Sequence, residues 1–507
     1  MASIAIIVPY ARLSFGPAYL SAVLRSRGHD VHVIYFKSYE WAWLDTVEHA
    51  DKSKLHTVYT SSGADRVFGY ARPYTDTEAQ SLLDVLRNIQ PDCVGISFAY
   101  ISFDTAVGLT TLLQKELSVP VIWGGIAPTS EPERSIEIAD FVCVGEGEQA
   151  FLDLADAIGG SGDTTQISNI WAREGDRIHR NTPRPLIQEL DELPFPDYSP
   201  DNKCLIEGDT VVEHYGFADT TGPYDIMTAR GCPYSCSFCA NSLIRDLYPG
   251  QRYVRRRSVD NVINELTVAK STYGSRLVYV NFFDDVFTLQ REWLDEFAGR
   301  YPSEVGLPFW CYTHPSAAKP EILALLKKAG LDRVTSGIQS GSERVLRDIY
   351  DRPTSRDQIL AMAENLQRLG IRYDFDIISN NPLETDEDCR QTLDLLLRLP
   401  RPLRLNDGVV KLYLYPNTAI ARKVGAEPGM PQVDEKRYAF YNRLYLLAQS
   451  RRLRFLLRFL SRRTFLRSHP SLLHVLLLGP ALKRRFWVFL DRRAPALARL
   501  LSRRSGL

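Results

Sequence analysis

The stretch ARGCPYSCSFCAN, residues 229–241, places Cys232, Cys236 and Cys239 in one short segment of a chain that has eight cysteines in all. Structural zinc normally takes four protein ligands, often from paired Cys-x-x-Cys halves, and here the second half is missing. A disulfide would leave one thiol over. An iron–sulfur cluster held by three cysteines keeps one iron open to an outside ligand, which would be a chemical use for the missing fourth thiol.

The bulk properties of the chain indicate a multidomain enzyme. Its 507 residues exceed one ordinary domain, so two or three compact units are expected. The other five cysteines are scattered singly in apolar, strand-like segments typical of buried free thiols, which implies a reducing cytoplasm. The N-terminal MASIAIIVPY predicts a first β-strand instead of a signal peptide, and no apolar run reaches the about 18 residues of a membrane span.

The first 155 residues predict a doubly wound, Rossmann-like domain. Unbroken β-branched runs such as IAIIVPY and DVHVIYF alternate with amphipathic helices, as in a parallel sheet covered on both faces. Such sheets bind ligands beyond the carboxyl ends of their strands. The candidate ligand contacts at these ends are Pro9, Tyr10, Ser97, Gly124, Gly125, Gly145 and Glu146. Residues 37–77 interrupt the alternation, and residues 156–223 are interpreted as a linker with a small hairpin.

A second alternation covers residues 224–445. Its six strand–helix units, from YDIMTARG to GVVKLYLYP, are too few for an eight-stranded barrel and predict a curved partial (β/α)6 barrel. In barrels the chemistry lies at the C-terminal ends of the strands. The three-cysteine loop directly follows the first of these strands.

The loop GCPYSCSFC resembles the cluster loop of radical S-adenosylmethionine enzymes, with Phe238 as its aromatic residue. The resemblance implies that the three thiolates hold a [4Fe-4S] cluster whose open iron binds the amino and carboxylate groups of S-adenosylmethionine. One electron, supplied by a donor such as flavodoxin or ferredoxin, then cleaves the sulfonium to a 5′-deoxyadenosyl radical. Zinc and non-catalytic electron transfer are the alternatives.

Three later segments are similar to other motifs of this family. VNFFDDVF places Asp284 and Asp285 where members bind the amino group of the cofactor, although paired acids also cap helices. GIQSGSERVL implies that Gln339, where many members have Glu, and Ser340 lie near the ribose and carboxylate of the cofactor. IISNNPLETDED implies a similar role for Asn380, while Glu384 and Asp388 fit equally well as helix N-terminal charges.

The N-terminal domain resembles the cobalamin-binding domain of one branch of the family, through GISFAY, WGGIAPT and VGEGEQAF. The Asp-x-His-x-x-Gly element that gives cobalt an axial histidine in mutases is absent. The resemblance therefore implies cobalamin bound without a protein imidazole. His214 and His314 lie elsewhere, and a lone histidine is usually structural.

The resemblance implies a methyltransferase that acts on an unactivated carbon or phosphorus centre of a small-molecule or lipid-like substrate. Branch members that catalyse ring contraction, another rearrangement or oxidative cyclisation are the alternative. A transfer-RNA methylthiotransferase would need three cluster cysteines in the N-terminal domain, which offers only Cys93 and Cys143. The complete set of barrel motifs argues against a non-enzymatic cobalamin carrier or sensor.

The C-terminal region, residues 446–507, differs in charge from the rest. Residues 451–507 contain fifteen Lys and Arg and one acid, a net of +14, which leaves −14 for residues 1–450. At 100° per residue two faces separate, with Arg451, Arg454, Arg458 and Arg462 opposite Leu453, Leu456, Leu457 and Leu460. This basic helix could cap the barrel, contact an anionic membrane surface on the cytoplasmic side, or capture an anionic or lipid-like substrate; nucleic acid is disfavoured because no RNA module accompanies it.

Overall fold

In the computed structural model we describe residues 1–10, 14–38, 40–43, 57–59, 65–220, 222–406, 408–425, 428–450 and 454–462. The strands of these residues are β1 (Ser3–Pro9), β2 (Asp30–Phe36), β3 (Glu40–Trp43), β4 (Thr57–Tyr59), β5 (Asp65–Tyr70), β6 (Cys93–Ser97), β7 (Val121–Gly124), β8 (Phe141–Cys143), β9 (Ile170–Glu174), β10 (Arg177–Arg180), β11 (Lys203–Glu207), β12 (Thr210–Glu213), β13 (Tyr224–Ile226), β14 (Ala229–Arg230), β15 (Arg255–Arg256), β16 (Val280–Phe282), β17 (Phe309–Thr313), β18 (Leu331–Gln339), β19 (Arg372–Ser379) and β20 (Val409–Lys411). The α-helices are α1 (Phe15–Ser26), α2 (Asp76–Ile89), α3 (Phe103–Glu116), α4 (Ile126–Ser130), α5 (Pro132–Ile136), α6 (Glu148–Gly160), α7 (Ala240–Asp246), α8 (Val259–Tyr273), α9 (Arg291–Glu304), α10 (Pro320–Ala329), α11 (Arg356–Arg368), α12 (Asp386–Arg398), α13 (Ala419–Val424), α14 (Glu435–Leu447) and α15 (Arg454–Ser461).

The N-terminal domain is a doubly wound sheet, as predicted. Its parallel strands follow the order β8-β7-β6-β1-β2, so the strand order reverses between β1 and β6. These strands are almost completely buried because helices cover both faces, and each face has its own apolar core. The point of reversal is where open sheets of this kind bind their ligands.

Residues 156–223 form more than the predicted linker with a small hairpin. The hairpin β9–β10 adds antiparallel strands beside β8, and the hairpin β11–β12 extends the sheet beyond β2. Alternate residues of both segments are buried, including Ile170, Ala172 and Leu205. The N-terminal sheet therefore has nine strands, of which four come from this segment.

The second domain contains the six predicted parallel strands in the order β13-β16-β17-β18-β19-β20. Helices α8 to α12 lie along this part of the chain, and the largest apolar core of the molecule contains residues of both strands and helices. Strand β4, from the segment that interrupts the N-terminal alternation, pairs antiparallel with β20 and is followed in the sheet by β5 and β3. This segment therefore covers an edge of the partial barrel that would otherwise be open.

The described part of the basic region supports a helical cap. In α15, Leu457 is fully buried in the barrel core, Leu460 packs against that core, and Arg458 pairs with Asp394 of α12 at 2.8 Å. The opposite face exposes apolar groups, with Phe455 88% exposed. The predicted leucine face is divided, because Leu456 is 41% exposed. Residues 451–453 and 463–507 lie outside the described residues.

No helix in the described part of the chain is long and apolar enough to cross a bilayer.

Candidate functional site

The three-cysteine loop follows β13 and β14 and ends at α7, at the C-terminal edge of the barrel sheet. Gly231 has φ +89°, and a Cβ there would lie 2.4 Å from the carbonyl oxygen of Tyr253, so only glycine fits this turn. Ser237 anchors the middle of the loop, because its Oγ donates to the carbonyl of Ile349 at 2.7 Å and its N–H donates to that of Tyr350 at 2.9 Å. The backbone thus presents the thiols on a fixed support.

Burial governs the chemistry of the thiols. It raises the pKa of Cys232 to about 12 and that of Cys239 to about 11, so both are protonated at neutral pH until a metal displaces the protons. Arg352 donates from Nη1 to Sγ of Cys236 at 3.4 Å. No three His, Cys, Asp or Glu side chains of the described residues converge as ligands of one metal ion. The set of three thiols on one loop fits a cluster, in which each thiolate binds a different iron.

Phe238 packs beneath the loop. Its ring meets that of Tyr350 edge to face at 5.0 Å and contacts an apolar cluster that includes Val345 and Leu412. The predicted cofactor contact of Phe238 stays a prediction, and its packing shows that it also fixes the loop to the barrel.

The two acidic residues after β16, Asp284 and Asp285, lie in different environments. Asp284 is buried, accepts hydrogen bonds from the N–H groups of Thr228 at 2.6 Å and Ala229 at 3.0 Å, and pairs with Arg256 at 3.0 Å. Asp284 therefore joins β16 to the strand that leads into the cysteine loop.

Asp285 is accessible and accepts from Nδ2 of Asn241 in α7 at 2.8 Å. The surrounding protein desolvates this carboxyl group and raises its pKa although its surface is accessible, as expected inside a cleft. Asp285, beside the cluster loop, is the member of the pair that is available to a ligand.

Two candidate cofactor contacts, Gln339 and Ser340, lie at the end of β18. They differ in whether the side-chain oxygen has a hydrogen-bond partner. Ser340 Oγ lies 3.1 Å from Oγ1 of Thr392 and accepts from the N–H of Ser342 at 3.1 Å, so Ser340 is engaged within the fold. Gln339 has φ +59°, and its Oε1 is buried without a hydrogen-bond partner among the described residues. A buried acceptor left unpaired is expected to receive a donor from a bound molecule.

His314, which the sequence motifs did not select as a ligand, belongs to this site. It follows β17, and its ring stacks on Tyr234 of the cysteine loop at 3.8 Å. Nδ1 accepts from the N–H of Ser316 at 3.3 Å, which places the ring proton on Nε2, and Nε2 is buried without a partner among the described residues. Burial, followed by the nearby charge of Arg352, lowers the pKa of His314 to about 2, so the ring is neutral.

His314 Nε2, Gln339 Oε1 and Arg352 Nε are all buried polar atoms without hydrogen-bond partners among the described residues. They surround a loop whose predicted ligand, S-adenosylmethionine, brings amino, carboxylate and hydroxyl groups. The residues present therefore fit that cofactor. The only sequence signal for His314 was its position at the C-terminal end of a barrel strand.

Asn380 and its neighbours after β19 are held inside the protein. Asn380 has φ +57°, and its Oδ1 accepts from Ser379 Oγ at 3.0 Å and from Asn442 Nδ2 of α14 at 3.1 Å. Asp388 caps α12 with Thr385, and hydrogen bonds led by that from Arg344 overcome desolvation and lower its pKa to about 2. Of the two alternatives for Asp388, the structure supports the helix-terminal charge.

Glu384 is buried, and its main neighbour is Tyr438 of α14, whose hydroxyl donates to Oε2 at 3.3 Å. Burial, followed by the charge of Asp388, raises the pKa of Glu384 from 4.5 to about 8. The folded protein therefore retains a proton that the unfolded chain releases between these pH values. Stability should fall as pH rises through this window, because the unfolded state binds fewer protons.

The variant Glu384→Gln, which keeps an acceptor for Tyr438, should lose this pH dependence. Urea unfolding at pH 5 and pH 8 should show wild type losing about 1.4 kcal/mol per pH unit more than the variant. Glu387→Gln, an exposed position on the same helix, is the matched control. Equal pH dependence in wild type and Glu384→Gln would show that Glu384 is ionised in the folded protein.

The N-terminal domain has a cavity of about 170 Å³ at the C-terminal ends of β1, β6, β7 and β8, where the strand order reverses. The cavity brings together five predicted contacts, namely Ser97, Gly124, Gly125, Gly145 and Glu146. At Gly125, with φ +102°, a Cβ would lie 2.5 Å from the carbonyl oxygen of Phe98, so the chain needs glycine there.

Pro9 and Tyr10 do not line this cavity. The hydroxyl of Tyr10 donates to the carbonyl of Arg72 at 2.5 Å and lies 3.0 Å from Oγ1 of Thr105, on the other side of the strand ends. Ligand pockets usually measure about 300–1,000 Å³, so a corrinoid would place only part of itself in this cavity and the rest over its rim. Small glycine-rich walls fit such a close approach.

Ion pairs join this cavity to the cysteine loop. Arg255 binds Glu146 with bonds of 2.7 Å and 2.9 Å, and Arg230 binds Glu148 at 2.6 Å. Desolvation alone would raise the pKa of Glu148, but the charge of Arg230 lowers it below its ordinary value. Arg230 both lines the cavity and precedes Gly231 of the loop. The two candidate cofactor sites thus share one residue, Arg230, and lie next to each other.

Comparison with known proteins supports both predicted domains, the radical S-adenosylmethionine barrel and the cobalamin-binding domain. Residues 226–396 match the model of the radical SAM superfamily, and residues 63–155 match that of the B12 binding domain. A protein of Pyrococcus horikoshii named as an uncharacterised methyltransferase is 28% identical over 332 residues, which are 64% of this chain and 68% of that protein. Cytidylyl-2-hydroxyethylphosphonate methyltransferase of Streptomyces wedmorensis is 24% identical over 411 residues, 74% of this chain and 70% of that enzyme.

A solved structure shares the architecture. The radical S-adenosylmethionine methyltransferase TsrM of Kitasatospora setae, solved with cobalamin and a [4Fe-4S] cluster, superposes with a TM-score of 0.62 at 17% identity, covering 86% of this chain and 81% of that one. This likeness shows the same fold, with the cobalamin-binding domain before the barrel. The chain therefore combines a B12-binding domain with a following domain of the radical S-adenosylmethionine superfamily.

Proposed function

We propose that this protein is a cobalamin-dependent radical S-adenosylmethionine methyltransferase acting on an unactivated carbon or phosphorus centre of a small molecule. The observation that carries the proposal is the pairing of Arg230 with Glu148 at 2.6 Å, since Arg230 lines the cobalamin cavity and begins the cysteine loop. Two cofactors placed at the strand ends of two joined domains can act on one substrate held between them. Both curated relatives described above are named methyltransferases.

Each side chain of the site has a role in this proposal. Cys232, Cys236 and Cys239 hold the cluster, and Asp285 receives the amino group of S-adenosylmethionine. Gln339 accepts and His314 donates hydrogen bonds through the atoms that have no partner in the described protein. When bound, the cofactors supply a carbon radical and a transferable methyl group. The protein orients both cofactors and excludes water from the cleft.

The test uses the full chain, reconstituted anaerobically with cluster and cobalamin, and S-adenosylmethionine carrying a CD3 group. Incubation with a reductant such as flavodoxin or ferredoxin and a small-molecule extract should give a new product in which CD3 replaces hydrogen. Preparations without cobalamin, or with the three loop cysteines replaced by Ala, should not form it. A product altered in ring structure but free of deuterium would favour cyclisation or rearrangement and refute methyl transfer.

The cobalt ion is predicted to have no histidine ligand. Among the described residues no histidine lines the cavity of Ser97 and Gly124. Paramagnetic resonance of the cob(II)alamin state bound to the full chain should therefore lack the nitrogen superhyperfine splitting of a coordinated imidazole. Splitting that persists with free cobalamin removed, and that is lost on replacing a histidine, would contradict this prediction.

Contact of the basic region with an anionic membrane surface also stays a prediction. Ten of its fifteen basic residues lie in residues 463–507, and the preceding α15 exposes Phe455 and Phe459. Basic groups near such a surface contribute about 1 kcal/mol each, and a salt concentration of about 1 M shortens the screening length from about 8 Å to about 3 Å.

The full chain should co-sediment with anionic vesicles at low salt, and not with neutral vesicles or at high salt. A chain ending at Arg462, which keeps α15, is the control and should bind much less. If the full chain ignores anionic vesicles at low salt, the region serves only the fold.

A further inference from the structure

A cavity lies inside the barrel, below the cluster loop. It measures about 1020 Å³ and is lined by residues of β16, β17, β18 and β19 and of the segment before β13. Lining side chains on these strands alternate, as in Trp310 and Tyr312 of β17, which is the pattern of the face that points into a barrel. The cavity is at the upper limit of ordinary ligand pockets, about 1,000 Å³.

One wall of the cavity is aromatic. The ring of Phe283 lies 5.1 Å from that of Trp310, and Trp310 lies 4.5 Å from Tyr312. Phe283 also meets Phe15 of the cobalamin-binding domain at 5.6 Å. The aromatic row therefore continues from the barrel interior to the cleft between the domains. Such a wall favours a flat, apolar body.

The mouth of the cavity is cationic. The charged lining residues are Arg276, Arg333 and Arg372 against a single acid, Asp374, a net charge of +2. Asp374 pairs with Arg404 at 3.0 Å and, more loosely, with Nε of Arg333 at 3.7 Å, and this Nε has no hydrogen-bond partner among the described residues. Arg372 is already paired with Asp332. Arg276 forms no ion pair among the described residues and donates only to the carbonyl of Ala218, at 3.3 Å. Arg276 and Arg333 therefore retain donors for an acidic group of a ligand.

The cavity leads towards the cluster loop. The lining residues of β17 continue along the same strand face to His314, which stacks on Tyr234 of the loop. Trp310 and His314 are four residues apart, about 13 Å at about 3.3 Å per residue. A molecule with its acidic end at Arg333 must therefore be elongated to reach the reacting position.

We propose that the substrate is an elongated acid, with a carboxylate or phosphate group bound by Arg333 and Arg276 and a flat, unsaturated or aromatic body lying along Phe283, Trp310 and Tyr312. The proposal rests on the proposed function, because it places the other end of this molecule at the cleft between the cofactors. It adds the substrate class and the residues that select it.

The test compares two fluorescent probes of similar shape on the full chain, anionic 1-anilinonaphthalene-8-sulfonate and neutral N-phenyl-1-naphthylamine. Arg333→Gln should weaken the anionic probe about tenfold, since a charged hydrogen bond is removed, and leave the neutral probe unchanged. Trp310→Ala should weaken both probes. Trp310→Leu, which preserves more of the side-chain volume than Ala does, should also weaken both probes. Thermal unfolding of each variant checks that the protein is still folded.

Two controls lie outside the cavity. Arg291→Gln removes an exposed arginine of α9, and Phe455→Ala removes an exposed ring of α15; neither should change the affinity of either probe. Anionic-probe binding that falls in Phe455→Ala but not in Arg333→Gln or Trp310→Leu would overturn the proposal. Probe binding needs neither cofactor, so cleavage of S-adenosylmethionine by the same wild-type preparation reports separately on the proposed function.

Discussion

The protein in which Cys232, Cys236 and Cys239 are all replaced by Ala is expected to hold no iron–sulfur cluster and to cleave no S-adenosylmethionine. No other group of three candidate metal ligands is gathered in the described residues, so the lost thiolates have no substitute there. After anaerobic reconstitution, the variant should lack the broad absorbance near about 400 nm, bound iron, and formation of 5′-deoxyadenosine.

The fold of this variant should survive. Ser237 and Phe238 fix the loop through bonds to Ile349 and Tyr350 that the substitutions leave in place. Cys204→Ala, at a half-buried cysteine of β11, is the control and should bind iron as wild type does. A triple variant that folds and keeps its iron would show that the cluster is held elsewhere.

Substitution of the two neighbouring acids is expected to give opposite results. Asp284→Ala should reduce the free energy of unfolding by about 3–5 kcal/mol, because it leaves the buried guanidinium of Arg256 without its partner. It should also loosen the strand that leads into the cysteine loop, since the N–H groups of Thr228 and Ala229 lose their acceptor.

Asp285→Ala should change stability by no more than about 0.5 kcal/mol, since Asp285 is accessible and accepts one bond, from Asn241. It should weaken S-adenosylmethionine binding by about tenfold or more, the effect of losing a charged hydrogen bond to the cofactor. Urea unfolding and equilibrium binding measure the two effects. Equal losses of stability, or unchanged cofactor affinity in Asp285→Ala, would contradict the assignment.

β-Branched runs in the sequence predicted most of the strands, because strand formation depends on local sequence patterns. The parallel strands β1, β2, β6, β7 and β8 of the first domain and all six of the barrel occur where β-branched runs predicted them. Pairing between distant segments was not predictable in the same way. Strand β4 pairs with β20 although about 350 residues separate them, and β11 pairs with β2 although about 170 residues separate them. Register between such segments depends on the complete fold.

The candidate site, like the fold, was predicted from the sequence only in part. Motif spacing selected the three cysteines and the glycines of the cavity rim, but it could not separate Asp284 from Asp285, because only burial and partners distinguish the two. The sequence also could not predict the direction of a side chain. The side chain of Tyr10, for example, faces away from the cavity. His314 is not part of a motif found in the sequence, and its place in the site is inferred from its stacking on Tyr234.

The most direct test of the central claim is to measure two products of S-adenosylmethionine in one anaerobic incubation. The full chain, reconstituted with cluster and cobalamin and supplied with reductant, should form both 5′-deoxyadenosine and S-adenosylhomocysteine. The first product should depend on Cys232, Cys236 and Cys239, and the second on bound cobalamin. Formation of 5′-deoxyadenosine alone, with no S-adenosylhomocysteine in the presence of cobalamin, would contradict the account, as would the absence of both.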